Sequence, residues 1–322
     1  MKIVQSFEDF LDTIQLSRSK NTYLAYSNGI NYLSMTLKSH GIDPERDEPS
    51  KISEKMISWF AADLKGYAAA SEQLYITAAK RYFEYLVAEN LSSINLSKIN
   101  LLIKQRTRKP GKRLPQFPAE DIKKIINTLE KENYSDILDE RNKLRAMRNK
   151  SFIITLADTG LRVHEACNLR RGDIDWRESR ALVIGKGNRQ AVVRFSKRAL
   201  DSLRAYLNER SKIDGESGRQ LAALPLFARH DKGAGKKVLP ISTTTGRNIV
   251  TDHVREILGE EAVGTITPHS FRHFFVTKVL QVSGNLKLAQ NLARHKNIEV
   301  TQRYAHLSDN ALDKGYWEVF EE

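Results

Sequence analysis

Residues 267–277 read TPHSFRHFFVT and place His269 and His273 around Arg272. Three kinds of chemistry suit these residue types: a metal site, a hydrogen-bonded piece of core, or a cradle for an anion. The metal reading needs more ligands. His269 and His273 have H-x-x-x-H spacing, but Ser270 stands where a zinc protease carries its glutamate. The single cysteine, Cys167, also argues against a structural zinc site. A satisfied core histidine accounts for either His taken alone. His269 and Arg272, three residues apart, share one helix face, and an arginine there is hard to bury without an anion.

Three further segments concentrate Arg, Lys, His and Tyr. In ADTGLRVHEACNLRRGDID, Gly160 ends one helix, and Arg162 and Glu165 begin the next. Backbone N–H groups at that helix start favour an anion, and Glu165 can brace the Arg162 guanidinium. Read blandly, this is a surface ion pair worth little. In GKGNR, Lys186 projects from a tight turn, as a solvated residue or as a proton donor that must reach a ligand. In LARHKNIEVTQRYAHLS, His295 precedes a short loop and Tyr304 lies on the following helix. A tyrosine is most often a packing residue. Its phenol, with a pKa of about 10, becomes a usable nucleophile where nearby arginines stabilise the phenolate.

The elements that must position these residues fall into two domains. In SFEDFLDTIQLS, Ser6 with Asp9 three residues on has the pattern of a helix start, followed by Phe7, Phe10, Leu11 and Ile14 at helical spacing. A second helix is expected from Asn21 towards Leu37, stopped at Gly41. Met56, Trp59, Phe60 and Leu64 mark a third, and Ile76, Ala79, Phe83 and Leu86 a fourth. Residues 1–103 are therefore expected to form a four-helix bundle. Residues 104–117 read as a basic linker. Within it KQRTRKPGKR (104–113) holds six bases in ten residues, no acid and a Pro-Gly step, which disfavours a helix. Lys104, Arg106, Arg108, Lys109, Lys112 and Arg113 are then either a solvated charge run or a strap along phosphates. Residues 118–322 open with Pro118 at a helix start and are expected to be mostly helical. ALVI and QAVVRF form a hairpin around GKGNR, and helices resume around 243–258, 270–282, 285–293 and 298–307. The fold class is mainly α with a small antiparallel β-sheet.

Composition bounds the partners. The chain has 322 residues, 40% of them hydrophobic, and a formal net charge of +13 from 52 Lys+Arg against 39 Asp+Glu. The excess favours a polyanion, nucleic acid before an acidic membrane surface. One cysteine rules out an internal disulfide and fits a reducing compartment. No apolar run is long enough to span a bilayer, and MKIVQSFEDF carries acids where a signal peptide needs an apolar region. A cytoplasmic protein, nucleoid-associated in a prokaryote or its virus, is expected.

Taken in order, the four segments resemble the tyrosine recombinase (phage integrase) family, and its simple two-domain Xer-like members most closely. TGLRVHE supplies Arg162, GKGNR supplies Lys186, HSFRHFFVT supplies His269 and Arg272, and ARHKNIEVTQRYAH supplies His295 and Tyr304. Two departures stand out: Arg294 occupies a position where members usually carry Gly, and Phe271 one where Leu is common. The resemblance implies an N-terminal four-helix core-binding domain that binds DNA, joined to a mixed α/β catalytic domain. With only about twenty residues before the second helix, no extra arm-site-binding domain is expected.

The resemblance also implies site-specific cutting and rejoining of double-stranded DNA. Tyr304 is the nucleophile of a 3′-phosphotyrosyl intermediate, and strand exchange passes through a Holliday junction. Lys186 is the general acid, Arg162 and Arg272 clamp the phosphate, and His269 and His295 assist. Glu165 and His273 support, and neither metal, ATP nor other cofactor is required. The implied assembly is a homotetramer on two DNA sites. The tail SDNALDKGYWEVFEE (308–322), acidic with Leu312, Tyr316 and Phe320 on one face, either docks on a neighbouring protomer or packs on its own domain. The alternatives are a type IB topoisomerase-like enzyme that relaxes DNA and a non-catalytic DNA-binding protein on the same fold.

Overall fold

The computed structural model describes residues 1–108, 118–185, 189–234 and 237–305, with the main chain alone for Arg189 and residues 303–305. The chain divides into two compact units, Met1–Arg113 and Leu114–Glu322. Its architecture is mainly helical with one small antiparallel sheet.

In the first unit the expected stripes become α1 (Ile3–Ser17), α2 (Lys20–Ser39), α3 (Lys55–Asp63) and α4 (Ala69–Ala88). They close over Phe7, Phe10, Leu33, Phe60, Phe83 and Leu86. Ser6 does not start α1. The helix begins three residues earlier, where the Gln5 side chain accepts the Lys2 N–H at 2.8 Å. Ser6 is buried inside it, with its hydroxyl 2.6 Å from that of Tyr82.

A fifth helix, α5 (Leu96–Arg106), corrects the expected linker boundary. Asn95 caps it by accepting the Lys98 N–H at 3.1 Å, and Leu96, Ile99, Leu102 and Ile103 turn inward. Lys104 and Arg106 are thus helical and exposed, in the last turn where cations complement the helix dipole.

Arg108 is held differently. Its Nε donates at 2.6 Å to Glu72, buried on α4, and its Nη2 donates at 2.6 Å to the Tyr67 carbonyl. Lys65 donates to the same carboxylate at 2.9 Å. Burial alone would raise the Glu72 pKa, but the bonds from Lys65 and Arg108 outweigh it and hold the group at about 2.

The second unit runs α6 (Ala119–Lys131), α7 (Glu140–Thr159), α8 (Val163–Asn168), β1 (Ile174–Asp175), β2 (Arg180–Gly185), β3 (Arg189–Arg194), α9 (Lys197–Glu209), α10 (Ser211–Gly215), α11 (Thr243–Leu258), α12 (Pro268–Ser283), α13 (Leu286–Ala293) and α14 (Ile298–Ala305). The strands pair in the order β1-β2-β3, with Ile174 opposite Ala181 and Leu182 opposite Val192. Ala181, Val183 and Val193 face the core while Leu182, Ile184 and Val192 face solvent, the period-2 pattern of a one-sided sheet. α7 is the central element. Phe152, Ile153 and Leu156 are buried on it, and Phe152 meets Phe227 edge-on at 5.1 Å. Among the described residues no helix is long and apolar enough to cross a membrane.

Candidate active site

The site begins where α7 stops. Gly160 adopts φ +60°, the left-handed conformation that a helix end favours and that a side chain resists. Space is also short, since a Cβ there would lie 2.5 Å from the Phe275 ring. This turn buries Leu161 and puts Arg162 at the head of α8. Glu165, itself buried, accepts the Arg162 main-chain N–H at 2.9 Å and the guanidinium Nη1 at 2.8 Å. A carboxylate therefore already serves the end of this six-residue helix. An incoming anion would meet the guanidinium rather than the helix terminus expected from sequence.

Arg272 comes from α12 and is 2% exposed. Its Nη1 donates to the Gly160 carbonyl and its Nη2 to the Ala293 carbonyl. These carbonyls belong to the ends of α7 and α13, where helix geometry leaves C=O groups without intrahelical partners. They orient the guanidinium and, being uncharged, do not neutralise it.

α13 ends at Arg294, also left-handed at φ +58°. That conformation explains why glycine suits the position. The arginine's side chain folds inward, donating at 2.9 Å to Glu165 and at 3.4 Å to the Gly160 carbonyl. In sequence this residue is a departure from the family pattern, with nothing further to place it in the site. The signal was available, as an arginine where glycine is customary. Burial would raise the Glu165 pKa, but Arg294 and Arg162 prevail and hold the carboxyl below its ordinary range.

The histidines gather around these arginines. His295 follows Arg294, with Nδ1 2.9 Å from the Thr301 hydroxyl. Burial, then Arg272 and Arg162, push its pKa down to about 4. His273 falls to about 4 through burial, His269 and Arg272. His269 packs edge-to-face on His273 at 4.2 Å. One side of His269 is open to solvent, yet crowding on its other sides, followed by Arg272 and Arg162, lowers its pKa as well. All three imidazoles are thus shifted towards the neutral form. A neutral imidazole can donate or accept a hydrogen bond, and an anion between the arginines would draw a proton back onto it.

Arg162, Glu165, His269, Arg272, His273 and His295 thus come together from three distant segments. Tyr304 lies on α14, among its last three residues, of which the main chain alone is described. Lys186, Lys109, Lys112, Arg113 and the tail 308–322 lie outside the described residues.

Over residues 127–311 the sequence matches the phage integrase family. It is similar to the tyrosine recombinase XerC of Bacillus pumilus (strain SAFR-032), 29% identical, covering 98% of this chain and 95% of that one. The tyrosine recombinase XerC of Bacillus subtilis (strain 168) is 28% identical, over 97% of this chain and 94% of its own. In fold the chain is similar to the XerH site-specific recombinase bound to a palindromic difH substrate, with a TM-score of 0.67 at 18% identity, covering 99% of this chain and 96% of that one.

Proposed function

This chain belongs to the phage integrase family, and we propose that it cuts and rejoins duplex DNA at specific sites through a 3′-phosphotyrosyl intermediate on Tyr304. The observation that carries the reading is the pair of guanidiniums, Arg162 and Arg272, fixed by Glu165 and by the Gly160 and Ala293 carbonyls, with His269 and His295 beside them.

The chemistry follows from these groups. The Tyr304 oxygen attacks phosphorus, and the bond to the 5′-oxygen breaks. Lys186 protonates that leaving oxygen. Arg162 and Arg272 bind the non-bridging oxygens with planar forks and offset the charge that grows in the pentavalent transition state. His269, shifted towards its neutral form by burial and the two arginines, takes up the phenol proton, and His295 hydrogen-bonds a non-bridging oxygen. The phosphotyrosyl bond retains the energy of the phosphodiester. Attack by a new 5′-hydroxyl then reseals the strand without ATP. Strand exchange between two sites needs four protomers, two on each site. Val282 and Leu288, 81% and 41% exposed, give the α12–α13 end an apolar surface suited to a neighbour's Leu312, Tyr316 and Phe320.

The first unit holds the same duplex. Lys104 and Arg106 contribute phosphate contacts from the end of α5, together with Lys109, Lys112 and Arg113. Arg108, committed to Glu72, anchors the start of the linker instead. Incubation with sheared DNA in EDTA, without ATP, followed by denaturation in detergent, should leave protein covalently on a 3′ DNA end. Absence of any adduct over a full range of genomic fragments would overturn the reading.

A further inference from the structure

The two arginines of the cradle are braced by different acceptors, Glu165 for Arg162 and the Gly160 carbonyl for Arg272. One side chain touches both. Arg294 donates through Nη2 to Glu165 Oε2 at 2.9 Å and to the Gly160 carbonyl at 3.4 Å. Its side chain is 11% exposed, and its Nη1 is buried without a hydrogen-bond partner among the described residues. Its main chain sits at φ +58°, a conformation that glycine takes more easily than arginine. Local backbone preference and placement of a buried charge both argue against an arginine here. What the chain gains is a tie between the two braces.

We propose that Arg294 is a positioning residue that fixes Arg162 and Arg272 relative to one another through Glu165 and the Gly160 carbonyl. The inference rests on the reading of these two arginines as the phosphate clamp. It adds a specific dependence: the spacing of the clamp in this chain is set by a side chain that glycine would lack. Arg294 shares the Glu165 carboxylate without displacing Arg162, because Arg162 bonds Oε1 through its guanidinium while Arg294 bonds Oε2. Loss of Arg294 leaves Oε2 with the Arg162 main-chain N–H alone, so the carboxylate is held less firmly and the Arg162 guanidinium bonded to Oε1 can shift with it. A displacement on the order of 1 Å in a clamp can cost about 100-fold in rate.

The test uses the full chain and a nicked suicide duplex built from a fragment that the wild type traps covalently. Single-turnover adduct formation, equilibrium binding of the same duplex and thermal unfolding are measured for wild type, Arg294→Gly, Arg294→Lys, Glu165→Gln and the Glu165→Gln/Arg294→Gly double variant. Glycine accepts the left-handed conformation, so the melting temperature should hold and binding should change less than about twofold, while cleavage slows roughly 10- to 100-fold. Lysine keeps the charge, but its side chain is one atom shorter and lacks the planar group that places Nη2 between the two acceptors, so it should recover only part of the rate. If the two residues act in one chain, the double variant should be within about twofold of Glu165→Gln.

Wild-type cleavage by Arg294→Gly would overturn the inference. So would full recovery by lysine, which would reduce the role to charge, or a double variant whose loss equals the product of the single losses. If Arg294→Gly melts early, the lysine variant and the double-variant comparison still decide. An adduct that persists in Tyr304→Phe, or none from the wild type, would instead overturn the underlying reading, and this inference with it.

Discussion

Gly160 is where backbone geometry, packing and the site meet, so Gly160→Ala is a demanding test. Two costs add. A non-glycine residue held in the left-handed region at φ +60° costs about 1–2 kcal/mol. The new Cβ would also lie 2.5 Å from one Phe275 ring atom and 3.0 Å from two more, so the half-buried ring must move against its neighbours, at about 1–3 kcal/mol. The sum is about 2–5 kcal/mol, or a fall in melting temperature of roughly 4–20 °C for a domain of this size. Because the Gly160 carbonyl also receives Arg272 and Arg294, cleavage should slow beyond what instability explains. The assay is urea unfolding of the full chain alongside single-turnover adduct formation. Gly215→Ala is the reference, since a Cβ there meets nothing within 4 Å. If both variants unfold at the same urea concentration, the reasoning about Gly160 is wrong.

DNA binding should be accompanied by proton uptake near pH 6. His295, at about 4 in the free protein against an ordinary 6.5, gains a phosphate that opposes Arg162 and Arg272, so its pKa rises. Calorimetry in two buffers of different ionisation enthalpy reads the uptake, and none at that pH would contradict the site. In the absence of DNA the same depressed pKa favours unfolding as pH falls from about 6.5 towards 4, because the unfolded chain binds the proton more readily. Lys104→Ala with Arg106→Ala should flatten the salt dependence of DNA binding by up to about 1.8 in log–log slope, whereas Arg108→Ala should leave the slope unchanged. Lys186→Ala should cleave poorly but recover on a duplex with a 5′-bridging sulfur, a leaving group that needs no proton. Failure of that recovery removes Lys186 as the acid.

Much of the site was legible because its residues stand in short segments with distinctive neighbours. Arg162 follows a helix-ending glycine, and His269 and Arg272 share a helix face. The hairpin is legible from two short β-rich runs around GKGNR, and the structure adds which side chains face out, Leu182 and Val192, and which face in, Val183 and Val193. Other features depend on partners far away in sequence. Arg108 looked like a free strap residue because nothing nearby shows that Glu72 is buried with room for it. The basic residues from 104 onward hide the continuation of the helix, so the sequence assigns the last turn of α5 to the linker. Ser6 fitted a capping pattern by type alone, whereas its hydroxyl was destined for Tyr82. Arg294 could be seen as unusual, but its inward direction follows from a left-handed φ and from the position of Glu165.

The most direct measurement is the identity of the residue joined to DNA. The covalent product trapped in EDTA without ATP is digested with protease and nuclease and mapped by mass spectrometry. The account predicts a nucleotide linked through its 3′-phosphate to the peptide containing Tyr304, and no such product from Tyr304→Phe, which should still bind DNA. A nucleotide on any other residue, or a linkage through a 5′-phosphate, would contradict it.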